Sequence, residues 1–361
     1  MPTLGGLSNV WSTIRELNVS DIRESADQPL QIALIGAPEL RQAVLRALWS
    51  GGTRYPATAR VTIREYDIPL PRDRQSEIGQ SDMTLLVVDA HTPIQGDVAA
   101  TADKLAMLAI PRIVVLIGTD RMPDVAGDGA WYLGGTQTVF TPDAQPATLL
   151  RLLAPAIVEQ LPDDLKIAAA RKIPGLRDGV GRWLIGDVSF SNASYALASG
   201  LPEMIPLLTL PLNAADMVVL SKNQVLLTYK LALAFGAPAD FQAQMREVLP
   251  VIGSGFLWRQ VARQLVGLIP GFGLLPKVAV AYAGTYATGQ AAALWYRNGE
   301  ALSSDALKKL YRQAMVIGRD RARELLQRRK EAQPPSSGRA LDPAAPKPRF
   351  WQRFWPFRRR K

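Results

Sequence analysis

The sequence predicts an α/β domain built on a doubly wound, mostly parallel sheet, followed by an all-α domain. Three observations carry that prediction. Short apolar runs alternate with amphipathic segments from Gln31 to Leu161. After Pro162 no convincing period-2 segment recurs, only long apolar or amphipathic stretches at helical spacing. The chain has 361 residues, 48% hydrophobic and 20% charged, which is enough material for two cores.

The elements come in order. Asn9–Leu17 reads as a short amphipathic helix, and the polar stretch from there to Pro29 reads as a linker. Gln31–Ile35 (QIALI) fits a buried parallel strand. Gly36-Ala37-Pro38-Glu39 then turns into a helix with Leu40, Val44, Leu45 and Leu48 at helical spacing. Pro38 suits a first helical position, and Glu39 suits the positive end of the helix dipole. Ala59–Tyr66 alternates as a strand; Met83–Val88 and Arg112–Ile117 are buried strands, with a helix from about Val98 to Leu108 between them. Thr136–Thr141 is the last strand, and Ala147–Leu161 the closing helix.

The second half has apolar segments at Leu201–Leu220, Val225–Phe235, Val261–Ile269 and Val278–Tyr296. SKNQ (221–224) falls between two of them and reads first as a cap and turn, with a polar site as the other reading. Asp216 and Lys230 are candidates for a paired charge in the bundle. Asp305–Lys330 is an amphipathic helix whose apolar face carries Leu307, Leu310, Tyr311, Ala314, Met315, Ala322, Leu325 and Leu326. The domain plan is therefore 1–29 (helix and linker), 30–161 (α/β), 162–330 (α-helical) and 331–361 (Pro-rich linker and tail).

Composition removes several chemistries. There is no cysteine and one histidine, His91, so thiolate catalysis, disulfides and Cys/His zinc sites are excluded. No G-x-S-x-G elbow accompanies His91, which reads as a structural or surface residue. Met1–Val10 lacks the pattern of a signal peptide, which predicts a cytoplasmic protein. The net charge of +10 is a property of the tail: residues 328–361 hold 11 Lys/Arg against 2 Asp/Glu. A basic globular surface for nucleic acid is not indicated.

The order of motifs bears on nucleotide binding. A strand leads into Gly36 and a helix; Asp67 comes after the second strand; SDMTLLVVDAH (81–91) and RIVVLIGTD (112–120) come in turn. In this arrangement residues 30–160 resemble the Era-like P-loop GTPases, which implies nucleotide-contacting positions at Gly36, Asp67 and Asp120. The residues depart from that family's chemistry. G-x-x-x-x-G-K-[ST] read from Gly36 places Arg41, Gln42 and Ala43 at the second glycine, the lysine and the hydroxyl positions. Asp67-Ile68-Pro69-Leu70 lacks the DxxG glycine, and Ile117-Gly118-Thr119-Asp120 keeps only the aspartate of NKxD. The reading is a GTPase-like scaffold without a cofactor. The alternative is a GTP- and Mg²⁺-binding GTPase with a divergent loop.

Leu201–Gly236 together with residues 258–296 resembles an uncharacterised bacterial helical domain often fused behind Era-like GTPase domains and linked to membranes. The resemblance covers Pro162–Tyr296 and implies context, not catalytic residues. Val278–Tyr296 is an uncharged run of 19 residues rich in alanine and glycine. It fits a packed helix of a bundle, with a membrane-inserted helix as the alternative.

The tail combines Phe350, Trp351, Phe354, Trp355 and Phe357 with Arg349, Arg353, Arg358, Arg359, Arg360 and Lys361. Aromatic and cationic side chains together predict contact with an anionic membrane surface, reached through the flexible Gln333–Pro348 linker. Single-stranded nucleic acid and an acidic protein partner are the other readings. The expectation is a non-enzymatic, membrane-associated scaffold or regulatory protein, peripheral on the inner face of the plasma membrane, with a protein partner or second copy left open.

Overall fold

A computed structural model describes residues 17–51, 54–57, 61–91, 96–121, 137–199, 214–252 and 274–332. The helix expected at Asn9–Leu17 except Leu17 itself, residues 201–213 of the expected segment Leu201–Leu220, the segment Val261–Ile269 and the whole tail from 333 onward lie outside them.

The sheet comprises β1 (Gln31–Gly36), β2 (Thr62–Tyr66), β3 (Met83–Asp89), β4 (Arg112–Ile117) and β5 (Gln137–Thr141). All neighbours pair in parallel, in the order β2-β1-β3-β4-β5. Parallel strands need crossover connections, and these place helices on both faces. Ile32, Leu34, Leu85, Val87, Ile113 and Val115 point to one face, where α2 (Pro38–Leu48) and α5 (Pro146–Gln160) pack. Ala33, Ile35, Leu86, Val88, Val114 and Leu116 point to the other, under α4 (Asp97–Ala106). Because both faces are buried, the strands read as continuous apolar runs rather than alternating ones. A short helix, α3 (Gln75–Ile78), precedes β3.

Two parts of the chain differ from the sequence expectation. The polar stretch expected to be a linker contains α1 (Ser20–Asp27), whose Ala26 is buried in the core of the helical half. Its few apolar residues give it no legible periodicity. Also, α6 (Lys166–Lys172) and the turn after it serve both halves: Leu165, Ala169, Ile173 and Leu176 join the core of the sheet domain.

The helical half contains α7 (Arg177–Ser199), α8 (Ala214–Ala234), α9 (Phe241–Ile252), α10 (Leu274–Asn298) and α11 (Ser304–Ala332). α10, which includes the run Val278–Tyr296, packs against α7, α8, α9 and α11. Its Ala279, Ala283, Ala287, Ala292 and Tyr296 are buried among these helices. Among the described residues no helix is long and apolar enough to cross a membrane.

SKNQ is not a cap and turn. It lies inside α8, which runs unbroken from Ala214 to Ala234. Asn223 Nδ2 donates to Asn192 Oδ1 at 2.6 Å, and Asn192 Nδ2 donates to Thr285 Oγ1 at 2.7 Å. Thr285 in turn donates to the carbonyl of Ala281 at 2.9 Å. This buried polar chain fixes α7, α8 and α10 in one register, because a slip would leave the amides unpaired. Lys230 on α8 faces the charge of Asp187 on α7; burial lowers the pKa of Lys230 and raises that of Asp187, each partly offset by the other. The side chain of Asp216, its expected partner, is outside the described residues.

The two halves are joined by arginines. Arg177, at the start of α7, is 1% exposed. Its Nη1 donates to the carbonyl of Tyr55 at 2.6 Å, its Nη2 to that of Pro56 at 3.4 Å, and its Nε to that of Ala170 at 3.2 Å. Burial and then nearby Arg171 lower its pKa to about 10. Gly236 lies against this guanidinium at φ +89°, and a Cβ there would come 2.6 Å from Arg177 Nη2. Arg54, in the same loop, donates to Glu247 Oε1 at 2.9 Å and lies 4.7 Å over the ring of Trp295. Its backbone N–H donates to the carbonyl of Arg297 at 3.0 Å, closing the last turn of α10. Replacing Arg177 with Met leaves several buried carbonyls without donors. The expected loss of unfolding free energy is about 3 kcal/mol, read from urea unfolding; a loss below about 1 kcal/mol would show that the clasp contributes little.

Candidate functional site

In this strand order the chain reverses direction across the sheet between β1 and β3. Ligands of open α/β sheets bind outside the carboxyl ends of the strands at such a point. The residues there are Gly36 and Ala37 after β1, and Asp89, Ala90 and His91 after β3. Gly36 is needed for close approach: a Cβ would sit 2.5 Å from the carbonyl oxygen of Val87 on β3.

Only Ala37 separates β1 from α2. A phosphate-binding loop wraps its ligand with the backbone N–H groups of residues ahead of the helix. Here Pro38, Glu39 and Leu40 are already helical, and Pro38 has no N–H to offer. Glu39 is exposed at the same helix end.

Arg41, in the first turn of α2, folds back over the strand ends. Its Nη1 donates to the carbonyls of Gly36 and of Tyr66, the latter at 3.0 Å, and to Asp67 Oδ1. Its Nε donates to Glu65 Oε2 at 3.0 Å. The guanidinium thereby ties the end of β1 to the end of β2. Burial works against its charge, but the hydrogen bonds and charges of Asp67 and Glu65 prevail and hold its pKa above the usual guanidinium value.

Gly36 and Asp67, both expected at a nucleotide site, are thus brought together by Arg41. Asp120 is exposed beyond β4, two strands from β1 and so about 10 Å across the sheet. The expected lipid-contacting residues, Phe350 to Lys361, lie outside the described residues. In the sequence Arg41 stands out only as a misfit in a loop pattern. The signal that marks its role is a pair of carboxylates, Glu65 and Asp67, at the end of the strand after a first-turn arginine.

Beyond β2 a cleft of about 330 Å³ is lined by Arg64, Tyr66, Asp67, Arg74 and Glu77, among others. Glu77 accepts from Arg64 and from Arg74, each at 2.9 Å, and the hydrogen bond from Arg74 holds its pKa below the usual range. The charges of the cleft largely pair with one another. At the end of β3, Asp89 accepts from the backbone N–H of His91 at 2.9 Å and faces His91 Nδ1 at 3.0 Å. His91 itself is exposed, as a surface histidine. Among the described residues no cluster of His, Asp or Glu suits a metal ion.

Both sets of contacts can be measured. Arg41→Met should lower stability by about 2 kcal/mol, since Asp67 is largely solvated and loses little while the strand-end carbonyls lose their donor; urea midpoints measure it. The backbone N–H of His91, first among the causes, lowers the pKa of Asp89 in the folded chain. The stability this carboxylate adds is present above its unfolded pKa of about 3.9 and fades as pH falls through the folded value. Asp89→Asn should therefore flatten the acid limb of the stability curve below about pH 4, and an unchanged limb would count against the assignment. No protein-family model and no curated protein matches this chain.

Proposed function

We propose that the protein is a non-enzymatic, membrane-associated scaffold or regulatory protein. Its GTPase-like α/β domain holds a shape instead of processing nucleotide, and its basic aromatic tail attaches it to an anionic lipid surface. The observation that carries the first part is Arg41. In a nucleotide-hydrolysing domain of this kind, the region beside Gly36 must accept phosphates and a metal ion. Here it receives an arginine side chain from the protein itself, bound to Gly36, Tyr66, Glu65 and Asp67. Ejecting it would break those bonds and leave two carboxylates facing an incoming phosphate.

The second part rests on Phe350, Trp351, Phe354, Trp355 and Phe357 among six cations. Aromatic rings settle at the headgroup boundary, and each Lys/Arg near an anionic leaflet contributes about 1 kcal/mol. Attachment through the tail also agrees with α10 being enclosed by other helices. Two measurements test the reading. The full chain should float with phosphatidylserine-containing vesicles, and a chain ending at residue 348 should lose at least nine-tenths of that binding. Calorimetry with GTP, GDP and ATP in Mg²⁺ should give no micromolar binding. Vesicle binding that survives truncation, or steady phosphate release from GTP, overturns the corresponding half.

A further inference from the structure

Two of the exposed large apolar side chains among the described residues are neighbours on α11: Val316, 60% exposed, and Ile317. The opposite face of this helix, Tyr311, Ala314, Met315, Gly318 and Ala322, is buried against α10 and its surroundings. At 3.6 residues per turn, Lys309, Arg312, Arg319 and Arg323 lie within about 60° of Val316 around the helix. All four are exposed. Three acids share the face: Asp305, paired with Lys308, Asp320, paired with Arg323, and Glu331 in the last turn of the helix. Among the described residues Lys309, Arg312 and Arg319 make no ion pair.

The distribution of charge singles out this region. From Ser304 onward the chain holds 17 Lys/Arg and 5 Asp/Glu, whereas the 303 residues before it hold 25 and 27. The whole net positive charge thus belongs to α11 and the chain beyond it. Val316 within a stripe of cations, with Ile317 about 100° round the helix, suits a lipid headgroup layer, which offers both anions and an apolar boundary. A nucleic acid offers phosphates but nothing for Val316 and Ile317, and the face carries no aromatic ring for base stacking.

We propose that the outer face of α11, centred on Val316 with Lys309, Arg312 and Arg319, rests on the anionic lipid surface as a second contact that fixes how the molecule lies. This rests on the reading of the tail as a lipid anchor. The face alone is a weak binder, with two aliphatic residues. The 16-residue linker Gln333–Pro348, roughly 50 Å when extended, lets the anchored tail raise its local concentration at the same surface.

The absence of cysteine allows a direct test. Val316→Cys and Met107→Cys each place one polarity-sensitive dye on the otherwise intact chain; Met107 is exposed on the sheet domain. With phosphatidylcholine vesicles containing phosphatidylserine, the dye at 316 should shift to the blue and the dye at 107 should not. The triple variant K309E/R312E/R319E should still bind through its tail, at least tenfold more weakly, and the blue shift at 316 should vanish. Circular dichroism checks that its fold is retained. A dye at 316 that stays in water while the protein is vesicle-bound overturns this proposal and leaves the tail reading intact. No vesicle binding by the full chain overturns both. A response to single-stranded RNA or polyglutamate but not to vesicles overturns the lipid assignment.

Discussion

The hydrogen bonds of the Arg41 guanidinium tie together the carboxyl ends of β1 and β2. Four of them radiate from one nearly buried cation to two strand-end carbonyls and two carboxylates. Nη1 serves three of these acceptors and Nε the fourth, and the planar guanidinium holds the two donors in fixed relation. Lysine could supply the charge but not the geometry. The same edge is where α/β proteins ordinarily keep room for ligands. In this protein an arginine of its own spans the ends of two strands there. The one-residue turn at Ala37 reinforces this, since it leaves no run of free backbone N–H groups ahead of α2.

A second set of arginines performs a related task between the two halves. Arg177 is buried with carbonyl oxygens as its hydrogen-bond partners, a costly arrangement that persists only where every donor is satisfied. It reads the backbone of residues 55 and 56, not their side chains. Arg54 adds a carboxylate and an indole from α9 and α10. Residues 54–56, between α2 and β2, are therefore held from the helical side.

Much of the architecture was legible in the sequence. The strands declare themselves because burial on both faces selects uninterrupted apolar runs such as LLVV and IVVLI. The amphipathic face of α11 is equally plain, as Tyr311, Ala314, Met315 and Ala322 recur at helical spacing. Three features were hidden for physical reasons. α1 is polar and short, so its contribution to the core comes through Ala26 and neighbours in space, not through periodicity. SKNQ has the composition of a turn, but Asn223 finds its partner 31 residues away in Asn192; only tertiary contact makes those amides tolerable within a helix. The role of Arg41 depends on residues 24 and 26 positions later, brought near by the parallel pairing of β1 with β2.

The cap that Arg54 provides to Arg297 has a practical side. It means that the final turn of a helix near residue 297 is completed by a backbone N–H contributed from the other half of the polypeptide. Dividing the gene product at residue 161 would strand Leu165, Ala169, Ile173 and Leu176 on the wrong fragment and leave α10 fraying. Anyone dissecting the molecule does better with point changes than with scissors.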